Sequence, residues 1–288
     1  MRTHLVVAAL ALSASPVLAQ NLLFDNGTFV THPGAGPDGT DNSVTETGTA
    51  ISLGNDPTTA NGALMIAESF TATAAWQLSE LYFYEVQSQV ASNLHTDFRF
   101  PAAFVQIFDA DPRLGGVVIA GDLTTNRLRG GMWTRCWRLS SSGAASNTRP
   151  IFQVEIDMTW APVLQPGTYW VGVSVEGEPG VTSAPGSIPL AQRAGQDSAQ
   201  LFQGNWVSVP RDFPFKLFGQ EASSCGPQDF NGDGDSGTDQ DIEAFFACLG
   251  GTCCDTCWHN GADFNGDGDT GTDQDIEAFF RVLGGGTC

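Results

Sequence analysis

Hydrophobic and polar residues alternate with a period of two along much of this chain. Phe152, Val154, Ile156 and Met158 interleave with Gln153, Glu155 and Asp157, the pattern of a strand with one buried face. Tyr169, Val171, Val173 and Val175 interleave in the same way with Thr168, Trp170, Gly172, Ser174 and Glu176. Shorter runs predict strands over 78–86, 103–108, 117–120, 132–139 and 215–219. Turn signals separate them, as at Asp111-Pro112 with Gly115-Gly116 and at Pro166-Gly167. Near the C-terminus the period changes. Ile242, Phe245, Phe246 and Leu249 fall at i, i+3, i+4 and i+7, as do Ile276, Phe279, Phe280 and Leu283. Both sets predict amphipathic helices, entered at Asp241 and Asp275 as N-caps and stopped at Gly250 and Gly284. The expected fold is mainly β: a jelly-roll-like β-sandwich over 20–221, then a small α module over 222–288.

The first residues change the picture of where the chain works. A weakly basic start, an apolar run over 5–12 and small residues up to Ala19 predict a secretory signal peptide over 1–19. The expected location is therefore secreted or cell surface. That apolar run is far shorter than the roughly 20 residues a membrane-spanning helix needs, and no later segment is long enough, so no membrane span is expected. The formal charge of −20 argues against nucleic acid as a partner, because phosphate recognition needs clustered Lys and Arg.

The charge is also unevenly placed. From Gly226 to Cys288 there are thirteen acidic residues and one basic residue, Arg281, so this segment repels itself unless cations neutralise it. It contains an internal repeat. The string from Asp229 to Phe246 recurs 34 residues later from Asp263 to Phe280, changed only at Ser236, which becomes Thr270. Each copy opens D-x-N-x-D-G, the first half of an EF-hand calcium loop. Calcium takes about six to eight hard oxygen ligands on a tight turn. Asp229, Asn231 and Asp233 stand at loop positions 1, 3 and 5, Gly234 provides the bend at 6, and Asp235 at 7 offers its carbonyl. Asp263, Asn265, Asp267, Gly268 and Asp269 repeat the set. Gln240 and Gln274 occupy position 12, where a carboxylate normally closes the loop. Asp241 and Asp275 come one residue later and are the expected closing ligands of a loop expanded by one residue. Glu243 and Glu277, then Asp239 and Asp273, are the alternatives. Two calcium ions are expected.

Six of the seven cysteines, Cys225, Cys248, Cys253, Cys254, Cys257 and Cys288, lie in this module. In an exported chain that density reads as a disulfide framework. Zinc is the rival reading of Cys253-Cys254-x-x-Cys257, with only His259 nearby. If the two repeats fold alike, the bridges are Cys225–Cys253, Cys257–Cys288 and Cys248–Cys254, with a Cys225–Cys288 clasp as the chief rival. Cys136, alone in the sandwich, is expected to be a buried free thiol.

Two calcium loops, each followed by a helix and neither preceded by one, resemble a type I dockerin. The closer resemblance is to the cysteine-rich variant at the C-terminus of secreted proteins of planctomycete-like bacteria, which ends Leu-Gly-Gly-Gly-x-Cys as 283–288 does here. The resemblance implies calcium and a cohesin-like or cell-envelope protein partner, with Thr238, Asp239, Thr272 and Asp273 as contact positions. The blocks 105–112, 121–128, 149–152 and 164–170 are similar to a secreted sandwich domain of the same bacteria, which implies fold and location but no chemistry.

Catalytic candidates are few. Gly234-Asp235-Ser236-Gly237 imitates a serine-protease string but sits inside a metal loop. Glu80, Glu85, Glu155 and Asp157 are the carboxylates from which a glycosidase pair would come. Asp109 and Asp111 suggest either a third calcium or, more simply, an Asx-turn before Pro112. Trp76, Trp133, Trp137, Trp160, Trp170 and Trp206 are either core residues or stacking planes for a polysaccharide. The leading expectation is a non-enzymatic protein with an anchoring tail, ahead of a carbohydrate-binding module or adhesin and of a glycan-active enzyme.

Overall fold

The computed structural model describes residues 21–44, 56–57, 63–88, 96–139, 148–186, 188, 197–222, 225–258 and 260–286. Residues 1–19, expected above to be a signal peptide, His259 and Cys288 lie outside the described residues. Residues up to 221 form two β-sheets. The first has seven strands in the order β1 (Asn21–Asp25), β13 (Phe215–Glu221), β4 (Trp76–Ser88), β8 (Pro150–Asp157), β7 (Leu128–Leu139) and β2 (Asp41–Val44), with β10 (Thr182–Pro185) also on β4. The second has six, in the order β12 (Asn205–Val209), β11 (Ser198–Phe202), β3 (Met65–Ala72), β9 (Gly167–Glu176), β5 (Ala102–Phe108) and β6 (Val118–Asp122). All pairings are antiparallel except β2 on β7.

One apolar core lies between the sheets, as in a sandwich. Leu81, Phe83, Phe152, Val154, Ile156, Phe215 and Leu217 come from the first sheet; Ile66, Phe70, Val105, Ile107, Val171, Val173 and Val175 come from the second. β8 keeps the alternation read from its sequence, with Phe152, Val154 and Ile156 fully buried.

β9 departs from the expected pattern. Trp170, placed on a polar face by its alternation, is buried with Met65, Ala67, Phe108 and Ala199 in a second apolar cluster on the outside of the sheet. Gly172 makes room for it, since a Cβ there would stand 2.4 Å from the Met65 sulfur. Trp206 packs edge-on against Phe108 at 5.5 Å. Arg113 closes the cluster, its guanidinium 5.1 Å from the Trp170 ring centre while it binds Asp111 at 2.6 Å and also pairs with Asp197. Burial alone would raise the Asp111 pKa, but its hydrogen bonds and charge contact with Arg113 hold it below the usual range. Asp111 accepts the Arg113 N–H at 2.8 Å, which is the Asx-turn reading of this segment.

Cys136 is a free, fully buried thiol packed with Phe29, Tyr84, Val86 and Ile151 outside the first sheet. Burial first, and the Asp41 charge second, push its pKa up to about 12. The neutral thiol is therefore favoured in the folded state, a contribution fully present below the unfolded pKa and lost as pH rises through about 12. At pH 8 the native protein is expected to resist thiol reagents at Cys136 until unfolded. Rapid labelling of native protein would contradict this burial.

The C-terminal module has its own core of Phe230, Phe245, Cys248, Ala262, Phe264, Ala278 and Phe279, sharing no residue with the sandwich core. Its helices are α1 (Asp239–Leu249) and α2 (Asp273–Leu283). Phe245 and Phe279 stack at 4.1 Å across the approximate twofold between repeats. Leu249 reaches Gly271 of the other loop and Leu283 reaches Gly237, so each helix packs against the loop of its partner repeat. Phe246 and Phe280, expected on the buried stripe, are 45% and 47% exposed. The shared core has room for one phenylalanine from each turn.

Among the described residues the bridges are Cys248–Cys253 and Cys254–Cys257. This overturns all three symmetric pairings. Cys253 is taken by Cys248, five residues away at the end of α1, so it is not free for Cys225. Cys257 is taken by Cys254 within a four-residue ring, so it is not free for Cys288. Cys225 is itself disulfide-bonded, though in neither of these bridges. The oxidised cysteines also remove the thiolates that the zinc reading requires.

Candidate metal centre

The two loops are built alike. In the second, carboxylate oxygens of Asp263, Asp267 and Asp275 converge within 4.8 Å of one another. Asp275 and its counterpart Asp241 are fully buried. Each accepts backbone N–H bonds from its own loop. Asn231 N–H donates to Asp241 Oδ1 at 3.2 Å and Thr238 N–H to its Oδ2 at 2.8 Å. Asn265 and Thr272 do the same to Asp275 at 3.2 and 2.7 Å. Burial would raise the Asp241 pKa, but bonds from Thr238, Asn231 and Phe230 hold it down.

The helix starts differ from expectation. α1 begins at Asp239 with Thr238 as N-cap, and α2 at Asp273 with Thr272 as N-cap. Asp241 and Asp275 are thus the third helical residues of capping boxes, their carboxylates reaching back to the cap. T-D-Q-D is itself the S/T-x-x-D signature of such a box, so the signal was present in the sequence. This geometry turns the one-residue expansion into a way of bringing a carboxylate inward. The residue at position 13 points into the loop, whereas Gln240 and Gln274 at position 12 are exposed. Glu243, Glu277, Asp239 and Asp273 are exposed too, and Glu277 pairs with Arg281 at 2.6 Å.

Asp229 Oδ2 accepts Gly234 N–H at 3.0 Å, and Asp263 Oδ2 accepts Gly268 N–H at 3.1 Å. Gly234 and Gly268 have φ of +96° and +91°, a left-handed bend that a side chain would strain. Asn231 and Asn265 accept from Asp233 and Asp267 N–H at 2.9 and 3.0 Å. Asp235 and Asp269 donate their N–H to Asp233 and Asp267, and their side chains are exposed outside the carboxylate group. That leaves the position-7 carbonyl as the group they could offer a cation.

The loops differ in two respects: among the described residues only the second gathers three carboxylates within 4.8 Å of one another, and their opening aspartates are bonded differently. Asp229 Oδ1 accepts from Gly232 and Asp233 N–H at 2.9 and 3.1 Å, whereas Asp263 Oδ1 is buried without a hydrogen-bond partner. A buried carboxylate oxygen lacking a donor is costly unless a cation meets it. The donor set is all oxygen, with three carboxylates and an amide on a tight glycine bend, which fits a hard cation such as calcium and not zinc.

The other candidates disperse. Glu80 and Asp157 face each other across β4 and β8 and share Arg129 at 2.9 and 2.6 Å. One guanidinium thus bridges two carboxylates on a sheet face. Glu85 is fully buried, and Glu155 accepts from Gln153 at 3.1 Å. Trp76, Trp137 and Trp170 are buried, and Trp133, Trp160, Trp206 and Trp258 are half-buried. No helix among the described residues is long and apolar enough to cross a membrane. No protein-family profile, no curated protein and no solved structure matches this chain.

Proposed function

We propose that this is a secreted or cell-surface, non-enzymatic protein in which a dockerin-like module over 222–288 binds two calcium ions and mediates anchoring or assembly. It carries a jelly-roll-like β-sandwich over 20–221. The observation that carries the reading is the second loop's convergence of Asp263, Asp267 and buried Asp275 around an oxygen without a donor. The near-identity of the first loop supports it, because a duplicated acidic loop on a shared core would repel itself without cations. Asp229, Asn231, Asp233 and Asp241 would hold one ion with the Asp235 carbonyl, and Asp263, Asn265, Asp267 and Asp275 the other with that of Asp269. Bound calcium would neutralise the carboxylates and fix each loop against its helix. The partner would be a cohesin-like or other cell-envelope protein.

The test is release by metal removal. A calcium chelator is expected to free the protein from envelope preparations, and calcium, but not magnesium, to restore retention. Magnesium demands near-octahedral geometry and gives up its waters reluctantly. Retention unaffected by the chelator would refute the calcium-dependent anchor.

A further inference from the structure

The two loops are nearly identical in sequence, yet each is braced by a different stretch of chain. The first is braced by the linker between the repeats. Trp258 N–H donates to the Phe230 carbonyl at 2.9 Å, and Phe230 lies between Asp229 and Asn231. The Thr256 carbonyl lies over Gly232, where a Cβ would stand only 2.7 Å from that oxygen. Thr256 sits inside the four-residue ring closed by Cys254–Cys257 and also tied by the Cys257 N–H to the Cys254 carbonyl at 3.2 Å. The second loop is braced by the start of the module. Gly226 N–H donates to the Phe264 carbonyl at 2.9 Å, and Gly226 follows Cys225, which is bonded in neither of the bridges described above.

From this arrangement we infer that the Cys254–Cys257 disulfide sets the calcium affinity of the first loop and not of the second. The inference rests on the calcium reading above. Cys254 is exposed and Cys257 half-buried, so an external dithiol reaches the bridge. Its thiolate attacks one sulfur, the Cys254–Cys257 bond breaks, and a mixed disulfide forms. The second thiol of the reductant then displaces the protein sulfur. Two electrons and two protons end on Cys254 and Cys257, and the reductant leaves as its own disulfide. The opened ring no longer holds Thr256 over Gly232 or Trp258 against Phe230. The first loop loses the support of the residues flanking Asn231 while every ligand remains. Phe264 is fully buried and keeps its bond from the Gly226 N–H, so the second loop retains its own backbone brace even though the Trp258 ring also lies beside Gly226.

The test is a calcium titration of the full chain followed by amide NMR with labelled glycine. Gly234 and Gly268 report one site each, because their N–H groups bond to Asp229 and Asp263. In Cys254→Ser/Cys257→Ser the Gly234 midpoint is expected to move to calcium concentrations about 10- to 100-fold higher, the usual effect of losing outer support at a metal site. The Gly268 midpoint should stay at its wild-type value. An unmoved Gly234, or both glycines shifting together, would overturn the inference. A flat titration of the wild-type protein would instead overturn the calcium reading itself, a result distinguishable from failure in the variant alone.

Discussion

Asp229→Ala with Asp263→Ala is expected to abolish calcium uptake, where titration calorimetry of the unaltered protein should show two ions per chain. Each aspartate opens its loop and bonds the N–H of the position-6 glycine, at 3.0 Å in the first loop and 3.1 Å in the second. Alanine therefore removes a ligand and the acceptor that shapes the bend. The paired Asp→Asn variant separates these roles, since the amide oxygen still accepts the glycine N–H but the charge is gone. It should fold around the same loop yet bind calcium much more weakly, because affinity in such loops follows ligand charge. Two ions retained by the alanine variant, or none taken up by the wild type, would defeat the proposal.

The second large effect is expected from Phe245→Ala. Phe245 is fully buried, stacks on Phe279 at 4.1 Å and meets Phe230 and Phe264 edge-on at 5.4 and 5.7 Å. Deleting such a ring typically costs about 3–5 kcal/mol, most of what a core of this size supplies. Because both repeats share that ring, both calcium sites should weaken together. Excess calcium should restore part of the lost stability, since an ion that binds only the folded module favours it by mass action. Chemical denaturation at fixed calcium measures this, and a loss below about 1 kcal/mol would show that the cavity had closed by repacking. The exposed Phe246 makes the control, as its replacement by alanine should change stability little.

The strands that were legible in the sequence are those with water on one side. β8 reads plainly because Gln153, Glu155 and Asp157 stay on the open face. Met65–Ala72 was not read as a strand because Met65, Ile66, Ala67 and Glu68 are all buried, which erases the period of two. Its outward face is covered by side chains from β9, β5 and β11. β1, β2, β10, β11 and β12 are four or five residues long, too short to show a period, and owe their form to hydrogen bonds with neighbouring strands. Glu80 and Asp157 looked like free carboxylates because nothing local shows that Arg129, far along the chain, folds between them.

The sequence by itself determined the two acidic loops, their glycine bends, the helices after them, the two-sheet character of the larger part and the solitary Cys136. Each of these rests on local chemistry: a fixed ligand spacing, a left-handed turn, a periodic apolar face, or a cysteine far from any other. Tertiary structure alone decided which sulfurs meet. Repeat symmetry joined Cys225 to Cys253, but the end of α1 brings Cys248 to Cys253 first, and distance in space outweighs equivalence in sequence. It also decided that Phe245 is buried and Phe246 exposed, since the two similar helices pack against each other and leave only one aromatic per turn on the shared axis. The inward turn of Asp241 and Asp275, by contrast, has a local cause. Asp241 and Asp275 turn inward because a capping box aims the third residue of a helix back at its own start, a direction that ligand counting along the chain does not contain.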